Sequence, residues 1–370
     1  MSRLKILHVY KDFEPPIHGG MERHIALMCR FQREWADVEA LTCSRKFGTR
    51  VVDRDGTQVT EVGELGRFQS APASPLFPFY MRKMKADVMM VHVPNPTAEL
   101  GWLMTRPRGK LVVRYHSDVI RQAAAMKIYR PFQQALLARA DVIIPTSQNY
   151  LDTSESLAPF RDKCEVISLG ILPEDFESPR EDLVSEYRTR YGERFVFFGG
   201  RHRYYKGLHV LVEAAQRIDM PIVIAGDGPE RERLEKQTRD LGVKVHFPGT
   251  LSDEEMVAHL HACSLVAFPS IERSEAFGIS IMEAHVCRKP VVATKLGTGV
   301  EFINVDAETG LNVPVGDARA FADAVNRLMQ NDELRLGYGE HARDRIIEQF
   351  DARHVARLEY ELVRGLVDDK

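Results

Sequence analysis

The stretch Phe268-Pro-Ser-Ile-Glu-Arg-Ser-Glu-Ala-Phe-Gly-Ile-Ser-Ile-Met-Glu283 carries two carboxylates, Glu275 and Glu283, close to a change of local structure. An apolar run that ends at Phe268 predicts a buried strand, and the apolar positions after Gly278 have helical spacing. The stretch therefore predicts a strand, a polar loop and the start of a helix. The unpaired N–H groups and the dipole at a helix start favour a bound anion such as a phosphate.

The two carboxylates allow two interpretations. Along the helix, Glu283 would lie roughly 7 to 8 Å beyond Glu275, at about 1.5 Å per residue. That spacing suits one extended ligand with hydroxyl groups at both ends and phosphates between them. The simpler interpretation is that Glu275 caps the helix and Glu283 is a solvated surface residue. Motifs elsewhere in the chain are needed to distinguish the two interpretations.

Length and composition predict two ordinary globular domains. The chain has 370 residues, of which 44% are hydrophobic and 28% charged. No apolar run approaches the roughly 18 to 20 residues that span a bilayer, and residues 1–10 lead directly into a strand rather than a signal peptide, so we expect a cytoplasmic protein. The five cysteines are scattered without a C-x-x-C pair, which indicates reduced thiols rather than disulfides or a zinc site.

Charge is divided unevenly along the chain. Residues 1–170 contain 24 Lys and Arg against 18 Asp and Glu, whereas the remainder contains 26 against 35. A basic first half suggests an anionic partner, although solvated helix faces could give the same numbers.

The first loop carries a pair of glycines. Residues 4–9 predict a strand, a loop rich in proline and glycine follows, and a helix begins after Gly19 and Gly20. Backbone without a Cβ can approach a phosphate closely there, although a plain tight turn also explains the pair. Neither the dinucleotide-binding fingerprint nor a P-loop is present in the sequence.

A hairpin is the better explanation of a possible metal motif. Residues 51–62 alternate around Asp55-Gly56, a strong turn signal. Asp53 and Asp55 also match D-x-D, a pattern with which some sugar transferases hold a metal ion. We favour the surface turn.

One histidine lies at a predicted strand end. The first half continues with predicted strands at 38–42, 87–93, 109–118 and 141–146, with helices at 100–105 and 129–139, and with a last apolar run at 165–171. Ligands bind at the carboxyl ends of strands in open α/β sheets, so His116 is a candidate site residue. A packed or capping histidine is the alternative.

Strands and helices alternate a second time after residue 170. Polar residues and two prolines at 172–181 predict the domain boundary. Strands are predicted at 195–200, 221–226, 243–248, 265–268 and 290–294, with helices at 206–217, 230–241 and 252–261, where Ser252 and Glu255 form a capping box. The pattern predicts two α/β domains with parallel sheets.

The loop after the first strand of this second half supplies two cations. Arg201 offers a planar fork of donors and Lys206 a compact point charge, a suitable pair for a diphosphate. The loop with Glu275 would lie at the same sheet edge. Together these groups describe a site for a nucleoside diphosphate sugar, with Glu283 on the ribose and Glu275 on the sugar.

These motifs resemble those of a known family. Residues 274–283 are similar to the E-x7-E motif of the retaining glycosyltransferases of family four, and residues 200–207 resemble its donor-phosphate loop. Residues 16–22, 225–229, 247–249 and 309–313 resemble further family segments in the same order. The resemblance implies an α/β protein of GT-B architecture, with two Rossmann-like parallel-sheet domains facing each other across a deep cleft.

The resemblance also implies a domain assignment and residue roles. Residues 1–170 would bind the acceptor and 171–350 the donor, with helix 351–367 packing back on the first domain. The implied donor phosphate ligands are Arg201 and Lys206, helped by Gly19 and Gly20. Glu275, with Phe277 and Gly278 in its motif, would bind the transferred sugar, Glu283 the ribose, and His116 the sugar near the reacting carbon. The reaction would be hexosyl transfer with retention, without metal or other cofactor.

The donor, the acceptor and membrane association each have more than one interpretation. The donor would be GDP-mannose or a UDP-sugar, and the acceptor a glycan or a polyprenyl-diphosphate-linked glycan of a bacterial surface polysaccharide. Basic and apolar residues at 76–85 and 106–110 suit the inner face of the cell membrane or, equally, a solvated surface. Ser168-Leu-Gly-Ile171 departs from the family's usual Asn-Gly-Val-Asp. A non-catalytic nucleotide-sugar binding module is the alternative function, and a nucleotide-dependent oxidoreductase a weaker one.

Overall fold

The computed structural model describes residues 3–17, 19–68, 71–118 and 123–368. The chain divides into two compact units, of which the first comprises Met1–Gly170 with Ala352–Lys370 and the second Ile171–Asp351. The change of unit after Gly170 falls at the polar, proline-containing segment where the sequence predicts a boundary.

The first unit is built on a seven-stranded sheet with strand order β3-β4-β2-β1-β7-β8-β9, in which only β3 runs antiparallel to its neighbour. The strands are β1 (Leu4–Val9), β2 (Ala36–Ser44), β3 (Thr49–Arg54), β4 (Thr57–Gly63), β7 (Val88–Val93), β8 (Lys110–Tyr115) and β9 (Val142–Pro145), with a separate small hairpin of β5 (Gly66–Phe68) and β6 (Ala71–Ala73). The helices are α1 (Gly20–Gln32), α2 (Phe77–Lys83), α3 (Pro96–Thr105), α4 (Ala123–Arg139), α5 (Gln148–Thr153) and, at the end of the chain, α14 (Ala352–Asp368).

The final helix belongs to the first unit because of its apolar face. Val355, Ala356 and Val363 are buried on one side of α14, at helical spacing, and this side packs against α1. Trp35, just after α1, packs against Tyr360 with ring centroids 5.5 Å apart and ring planes inclined by 36°.

The structure confirms the hairpin around Asp55-Gly56. Strands β3 and β4 pair antiparallel, and Asp55 and Gly56 have φ values of 47° and 81°, as in the two-residue turn that fits the twist of paired strands. The Gly56 N–H donates a hydrogen bond to Asp53 Oδ1 at 2.9 Å. Asp55 therefore lies in the turn, and Asp53, in the last part of β3, accepts a hydrogen bond from it.

The apolar run at 165–171 forms no regular strand. The Glu165 and Ile167 N–H groups donate to Ile143 O and Pro145 O of β9 at 2.9 and 3.3 Å, and Ile171 forms an isolated bridge. The Arg114 guanidinium binds two carbonyl groups of residues 165–171, because it donates to Ile167 O at 2.5 Å and to Ser168 O at 2.7 Å.

The second unit is built on a six-stranded parallel sheet with strand order β12-β11-β10-β13-β14-β15. Its strands are β10 (Val196–Gly199), β11 (Ile222–Ala225), β12 (Val245–His246), β13 (Leu265–Phe268), β14 (Val291–Thr294) and β15 (Gly310–Val313). Its helices are α6 (Glu181–Tyr191), α7 (Leu208–Ala214), α8 (Arg231–Leu241), α9 (Asp253–Ala262), α10 (Ile279–Val286), α11 (Gly299–Ile303), α12 (Ala318–Gln330) and α13 (Asp332–Gln349).

Strand order in this sheet marks the expected ligand position. The chain moves outward from β10 through β11 to β12, then returns to pair β13 with the other side of β10. Ligands of open α/β sheets bind at such a reversal, outside the carboxyl ends of the two strands. The loops that follow β10 and β13 are those with Lys206 and Glu275.

Local predictions in the second unit differ in accuracy. The capping box of Ser252 and Glu255 at the start of α9 is confirmed, with both reciprocal hydrogen bonds formed. The predicted helix at 206–217 is shorter, because a left-handed Gly207 and two 3-10 turns flank α7. The predicted strand at 243–248 is reduced to the two residues of β12.

Candidate active site

The loops after β10 and β13 contact each other directly. The Ile271 N–H donates to Tyr205 O at 2.8 Å, which ties the second loop to the first. Gly207 makes the approach possible, since its φ is 64° and a Cβ there would lie 2.0 Å from Pro269 O. The backbone thus brings the Lys206 side chain to the loop that carries Glu275.

Gly207→Ala should destabilise the protein more than Gly242→Ala. Both glycines have a φ of 64°, but a Cβ on Gly242 meets no atom within 4 Å, whereas one on Gly207 would collide with backbone. We expect about 1–2 kcal/mol for the left-handed conformation alone and roughly 1–3 kcal/mol more for the collision at Gly207. Urea unfolding followed by circular dichroism measures the difference, and equal losses in the two variants would refute the close approach.

Lys206 and Glu275 form an ion pair at this junction. Lys206 Nζ lies 2.5 Å from Glu275 Oε2, and each side chain is only 13% exposed. Ser270 Oγ donates to the same carboxylate at 3.2 Å, and Lys206 Nζ also lies 5.1 Å above the centre of the Phe268 ring. The structure thus brings together two residues that the sequence placed at one sheet edge.

The charge of Lys206 is stabilised by carboxylates. Burial is the largest single influence and opposes the ammonium form, but Glu275, Tyr205 and Glu283 together outweigh it, so the pKa of Lys206 is raised above its usual value. Lys206 is therefore a permanent cation at neutral pH. Glu283 is partly buried on α10, one turn into the helix, and acts on the same ammonium group.

The N-terminus of α10 faces this loop. Gly278 precedes the helix with a φ of 95°, and the N–H groups of Ile279 and Ser280 have no hydrogen-bond acceptor among the residues that the structure describes. Thr298 Oγ1 donates to Glu275 O at 3.0 Å and so holds the loop before the helix. Free N–H donors next to the Lys206 ammonium form a site with the chemistry of a phosphate ligand.

The side chain of Phe277 is not available to a ligand. It is 4% exposed, and its ring packs against Phe350 with centroids 6.4 Å apart. Its ring therefore belongs to the core, and the role of Phe277 as a ligand-binding residue stays a prediction that concerns its backbone.

Arg201 lies in the loop after β10 with an exposed side chain. The backbone around it is held by neighbouring strand ends, since the Gly200 N–H donates to Ala225 O at 3.1 Å and the His202 N–H to Asp227 O at 2.9 Å. A fixed backbone with an exposed guanidinium suits a residue that pairs with an anionic ligand.

In the first unit, Gly19 and Gly20 form the start of α1. Gly19 is the N-cap, and the Arg23 N–H donates to Gly19 O at 2.9 Å. The carboxylate of Glu22 folds over Gly19, because Glu22 Oε2 would lie 2.3 Å from a Cβ at that position. Any side chain at residue 19 would displace this buried carboxylate, and burial raises the pKa of Glu22.

His116 lies at the end of β8, as predicted, but within the core rather than on an open surface. It is 4% exposed, and its Nε2 lies 2.9 Å from His92 Nδ1 at the end of β7. His8 of β1 stacks on the other side of His92, and His24 of α1 packs edge-on against His116. Sequence reasoning missed His8, His24 and His92; the signal was a histidine near the end of each of three neighbouring apolar strands.

The described residues include no group of three or more His, Cys, Asp or Glu side chains arranged to hold a metal ion. In the part of the chain that the structure describes, no helix combines the length and the apolar character that crossing a membrane requires.

Comparisons with known proteins identify the family. The description "Glycosyl transferase 4-like domain" matches residues 19–170, and "Glycosyl transferases group 1" matches residues 179–345. O-antigen chain mannosyltransferase C of Escherichia coli is 35% identical over 99% of this chain and 100% of that protein. D-rhamnosyltransferase WbpZ of Pseudomonas aeruginosa is 36% identical over 94% of this chain and 93% of that protein. The chain belongs to this glycosyltransferase family.

Solved structures give the same fold. Sucrose-phosphate synthase from Thermosynechococcus elongatus superposes with a TM-score of 0.83 and 21% identity over the full length of both chains. Anabaena HepE, solved in complex with UDP, gives 0.78 and 19% identity over 98% of this chain and all of that one. The expectation of a GT-B fold is confirmed, and the protein is a glycosyltransferase.

Proposed function

We propose that this glycosyltransferase moves a hexosyl group from a nucleoside diphosphate sugar to a glycan of a bacterial surface polysaccharide, with retention of configuration and without a metal ion. The observation that carries the proposal is the Lys206–Glu275 pair, 2.5 Å apart, where the loops after β10 and β13 meet beside the start of α10. A cation and helix N–H groups suit the diphosphate, and carboxylates suit sugar hydroxyl groups.

The reaction places negative charge on the departing diphosphate. Lys206, Arg201 and the N–H groups at the start of α10 are the donors that stabilise that charge in the transition state. Glu275 accepts hydrogen bonds from the transferred sugar, and Glu283 from the ribose. The acceptor hydroxyl attacks from the face that the diphosphate leaves, and a phosphate oxygen takes its proton, which retains the configuration.

Gly19, Gly20 and His116 complete the proposed set. The two glycines start α1, whose first N–H groups suit a phosphate oxygen. His116 would contact a hydroxyl group of the transferred sugar. These assignments follow the family resemblance, and each is tested by substitution in a transfer assay.

The names of two relatives guide the choice of substrates. One is an O-antigen chain mannosyltransferase and the other a D-rhamnosyltransferase, so both move six-carbon sugars. GDP-mannose is therefore our first candidate donor, with UDP-sugars as the second. The proposed acceptor is a polysaccharide chain or its polyprenyl-diphosphate-linked precursor.

A thermal-shift panel of GDP, UDP, GDP-mannose and UDP-glucose, run in EDTA, tests the donor proposal. A ligand at about 100 times its Kd stabilises the native state by about 2.7 kcal/mol, and we expect GDP and GDP-mannose to do so. Lys206→Ala should lose the shift. A shift that appears only with added Mn²⁺ or Mg²⁺ would contradict metal independence, and no shift with any nucleotide would contradict the donor site.

Transfer assays separate the enzyme from a non-catalytic binding module. An enzyme releases the nucleoside diphosphate from its donor in the presence of acceptor, whereas a module binds the donor unchanged. The family match also argues against an oxidoreductase, since both halves of the chain match glycosyltransferase descriptions.

A surface on α2 and α3 fits the inner membrane face. Leu76, Phe79 and Met104 are 57%, 59% and 75% exposed. Exposed basic residues lie close to them in sequence, among them Arg82 and Lys83. Phe77, which the sequence groups with them, is fully buried and belongs to the core.

Co-sedimentation with liposomes tests this surface. We expect binding to vesicles that contain anionic phospholipid, weaker binding at high salt, and loss of binding in a Phe79→Ser, Met104→Ser variant. Exposed Leu336 of the second unit, replaced by Ser, is the control. Equal binding to neutral and anionic vesicles would contradict the proposal.

A further inference from the structure

Five buried side chains form a continuous line of hydrogen bonds through the first unit. Gln32 Nε2 donates to Glu359 Oε2 at 3.0 Å, and Gln32 Oε1 lies 2.9 Å from His8 Nε2. His8 Nδ1 lies 3.0 Å from His92 Nε2, and His92 Nδ1 lies 2.9 Å from His116 Nε2. We call Glu359, Gln32, His8, His92 and His116 the histidine relay. It connects the final helix of the chain to the predicted site histidine.

Arg114 fixes the charge at one end of the relay. Its Nε lies 2.9 Å from Glu359 Oε1, and neither side chain is exposed. Burial raises the pKa of Glu359, and Arg114 opposes that shift. Because a guanidinium stays charged in proteins, the ionised carboxylate is the form of Glu359 that compensates it. An ionised carboxylate only accepts hydrogen bonds, so Gln32 must turn its NH₂ toward Glu359 and its carbonyl oxygen toward His8.

The direction of this first bond determines all the others. Burial lowers the pKa of the three rings, that of His8 to about 4, so each is neutral at pH 7 and carries one N–H. Since Gln32 Oε1 can only accept, the proton of His8 is on Nε2 and its Nδ1 accepts from His92. His92 therefore carries its proton on Nε2, and its Nδ1 accepts from the Nε2–H group of His116.

We propose that Glu359 sets the proton position of His116 through the histidine relay and leaves His116 Nδ1 as an acceptor for a substrate hydroxyl group. His116 Nδ1 is buried and has no hydrogen-bond partner among the described residues. Glu359, Gln32, His8 and His92 are positioning residues, and only His116 would contact the substrate. The statement about the substrate rests on the proposed function; the statement about the tautomer does not.

His24, whose ring packs against that of His116, adds a buried donor. The Gly170 N–H donates to His24 Nδ1 at 3.2 Å, which leaves the proton of the neutral ring on Nε2. That atom also lacks a partner in the described part of the chain, and the His24 and His116 rings lie edge to face with centroids 6.2 Å apart. A hydroxyl group both donates and accepts, so it is the chemical group that suits these two unpaired nitrogens.

Glu359→Gln should reverse the relay. Arg114 Nε can only donate, so the carbonyl oxygen of the new amide faces it. The NH₂ group of the new amide then takes the place of Glu359 Oε2 and donates to Gln32. Gln32 must then present its NH₂ to His8, and each ring in turn accepts at Nε2. His116 becomes the Nδ1–H tautomer, with a donor where the wild type has an acceptor.

The exchange Glu359→Gln with Gln32→Glu should restore it. Gln at position 359 again donates toward position 32, but a carboxylate there accepts from both sides. His8 keeps its proton on Nε2, and the two following rings return to the wild-type tautomer. The exchanged variant has the same composition as the wild type, so it controls for the chemical change itself.

Long-range ¹H–¹⁵N spectra of the full chain, labelled with ¹⁵N-histidine, measure these tautomers directly. His116→Asn assigns the His116 signals. We expect Nε2–H for His116 in the wild type, Nδ1–H in Glu359→Gln, and Nε2–H in the exchanged variant. His24, whose tautomer depends on the Gly170 backbone, should stay the same in all three. A wild-type His116 that is Nδ1–H or doubly protonated at pH 7 would overturn the proposal, even if Glu359→Gln does not fold.

An unchanged His116 tautomer in folded Glu359→Gln would also overturn the proposal. Histidines that only fill the core would keep their tautomers in this variant. Donor kinetics then test the substrate contact separately. We expect kcat/KM to fall about tenfold in Glu359→Gln, because one hydrogen bond to the substrate is lost, and to recover in the exchanged variant. Reversed tautomers with unchanged kcat/KM would establish the relay and refute the contact of His116 with the sugar.

Discussion

Lys206→Ala is expected to lower kcat for glycosyl transfer by about 100-fold or more. The Lys206 ammonium is a fixed cation, held 2.5 Å from Glu275 in a site where only 13% of its side chain is exposed. Removing one preorganised group that stabilises transition-state charge typically costs about 10² to 10³ in kcat. Steady-state transfer at saturating donor, with the donor identified by the thermal-shift panel, measures the effect.

Lys236→Ala is the matched control for that experiment. Lys236 also pairs with a carboxylate, Asp240 at 2.7 Å, but its side chain is 71% exposed on α8. We expect unchanged transfer in this variant. Full activity in Lys206→Ala would show that the site assignment is wrong, whereas a loss of folding would appear first as a changed circular dichroism spectrum.

The neighbouring groups should have smaller effects. Arg201→Ala and Glu275→Ala are each expected to lower transfer at least about tenfold, or about 1.4 kcal/mol of barrier. Arg201 contributes from an exposed position, and Glu275 acts on the sugar rather than on the leaving group. If Lys206→Ala lowered transfer less than Arg201→Ala and Glu275→Ala did, this would contradict a transition state dominated by charge on the diphosphate.

The junction of Lys206 and Glu275 was accessible from sequence because it follows from general rules. Parallel strands bring their carboxyl ends to one sheet edge, and a return of the chain at β13 places the two loops side by side. The apolar runs, the helical spacing after Gly278 and the glycines between them are all local signals. The E-x7-E resemblance then added the residue roles.

The histidine relay was not accessible in the same way. Gln32 and Glu359 are 327 positions apart, and a buried Glu on an amphipathic helix looks like any charged residue until its neighbours are known. His116 was found because it ends a strand. That His8 and His92 stand beside it depends on the order β1-β7-β8, which a crossover connection sets and no local pattern reveals.

The segment at 165–171 also depends on a long-range partner. Its Glu165 and Ile167 N–H groups donate to β9, whereas Arg114 takes the carbonyl groups of Ile167 and Ser168. Arg114 itself is fully buried within an apolar strand. A buried arginine requires a buried carboxylate, and the sequence alone does not identify which one.

Arg114→Met is expected to destabilise the first unit by about 3–5 kcal/mol. The substitution leaves Glu359 as a buried charge without its partner and removes the donors to Ile167 O and Ser168 O. Both tryptophans, Trp35 and Trp102, lie in the first unit, so urea unfolding followed by tryptophan fluorescence reports on the right part of the chain. Arg161→Met is the control, since its pair with Asp152 is about half exposed and should contribute less than about 1 kcal/mol.

The pH dependence identifies the buried charge as the cause. Without Arg114, burial is opposed only by the smaller effect of the Gln32 hydrogen bond and keeps the folded-state pKa of Glu359 above the unfolded value of about 4.3. Between these two pKa values the folded protein binds more protons than the unfolded one, so its stability falls as pH rises. The loss in Arg114→Met relative to wild type should therefore be smaller at pH 5 than at pH 8, and Arg114→Met with Glu359→Met should recover part of it. An equal loss at both pH values would mean that packing, rather than the unpaired carboxylate, is what Arg114 contributes.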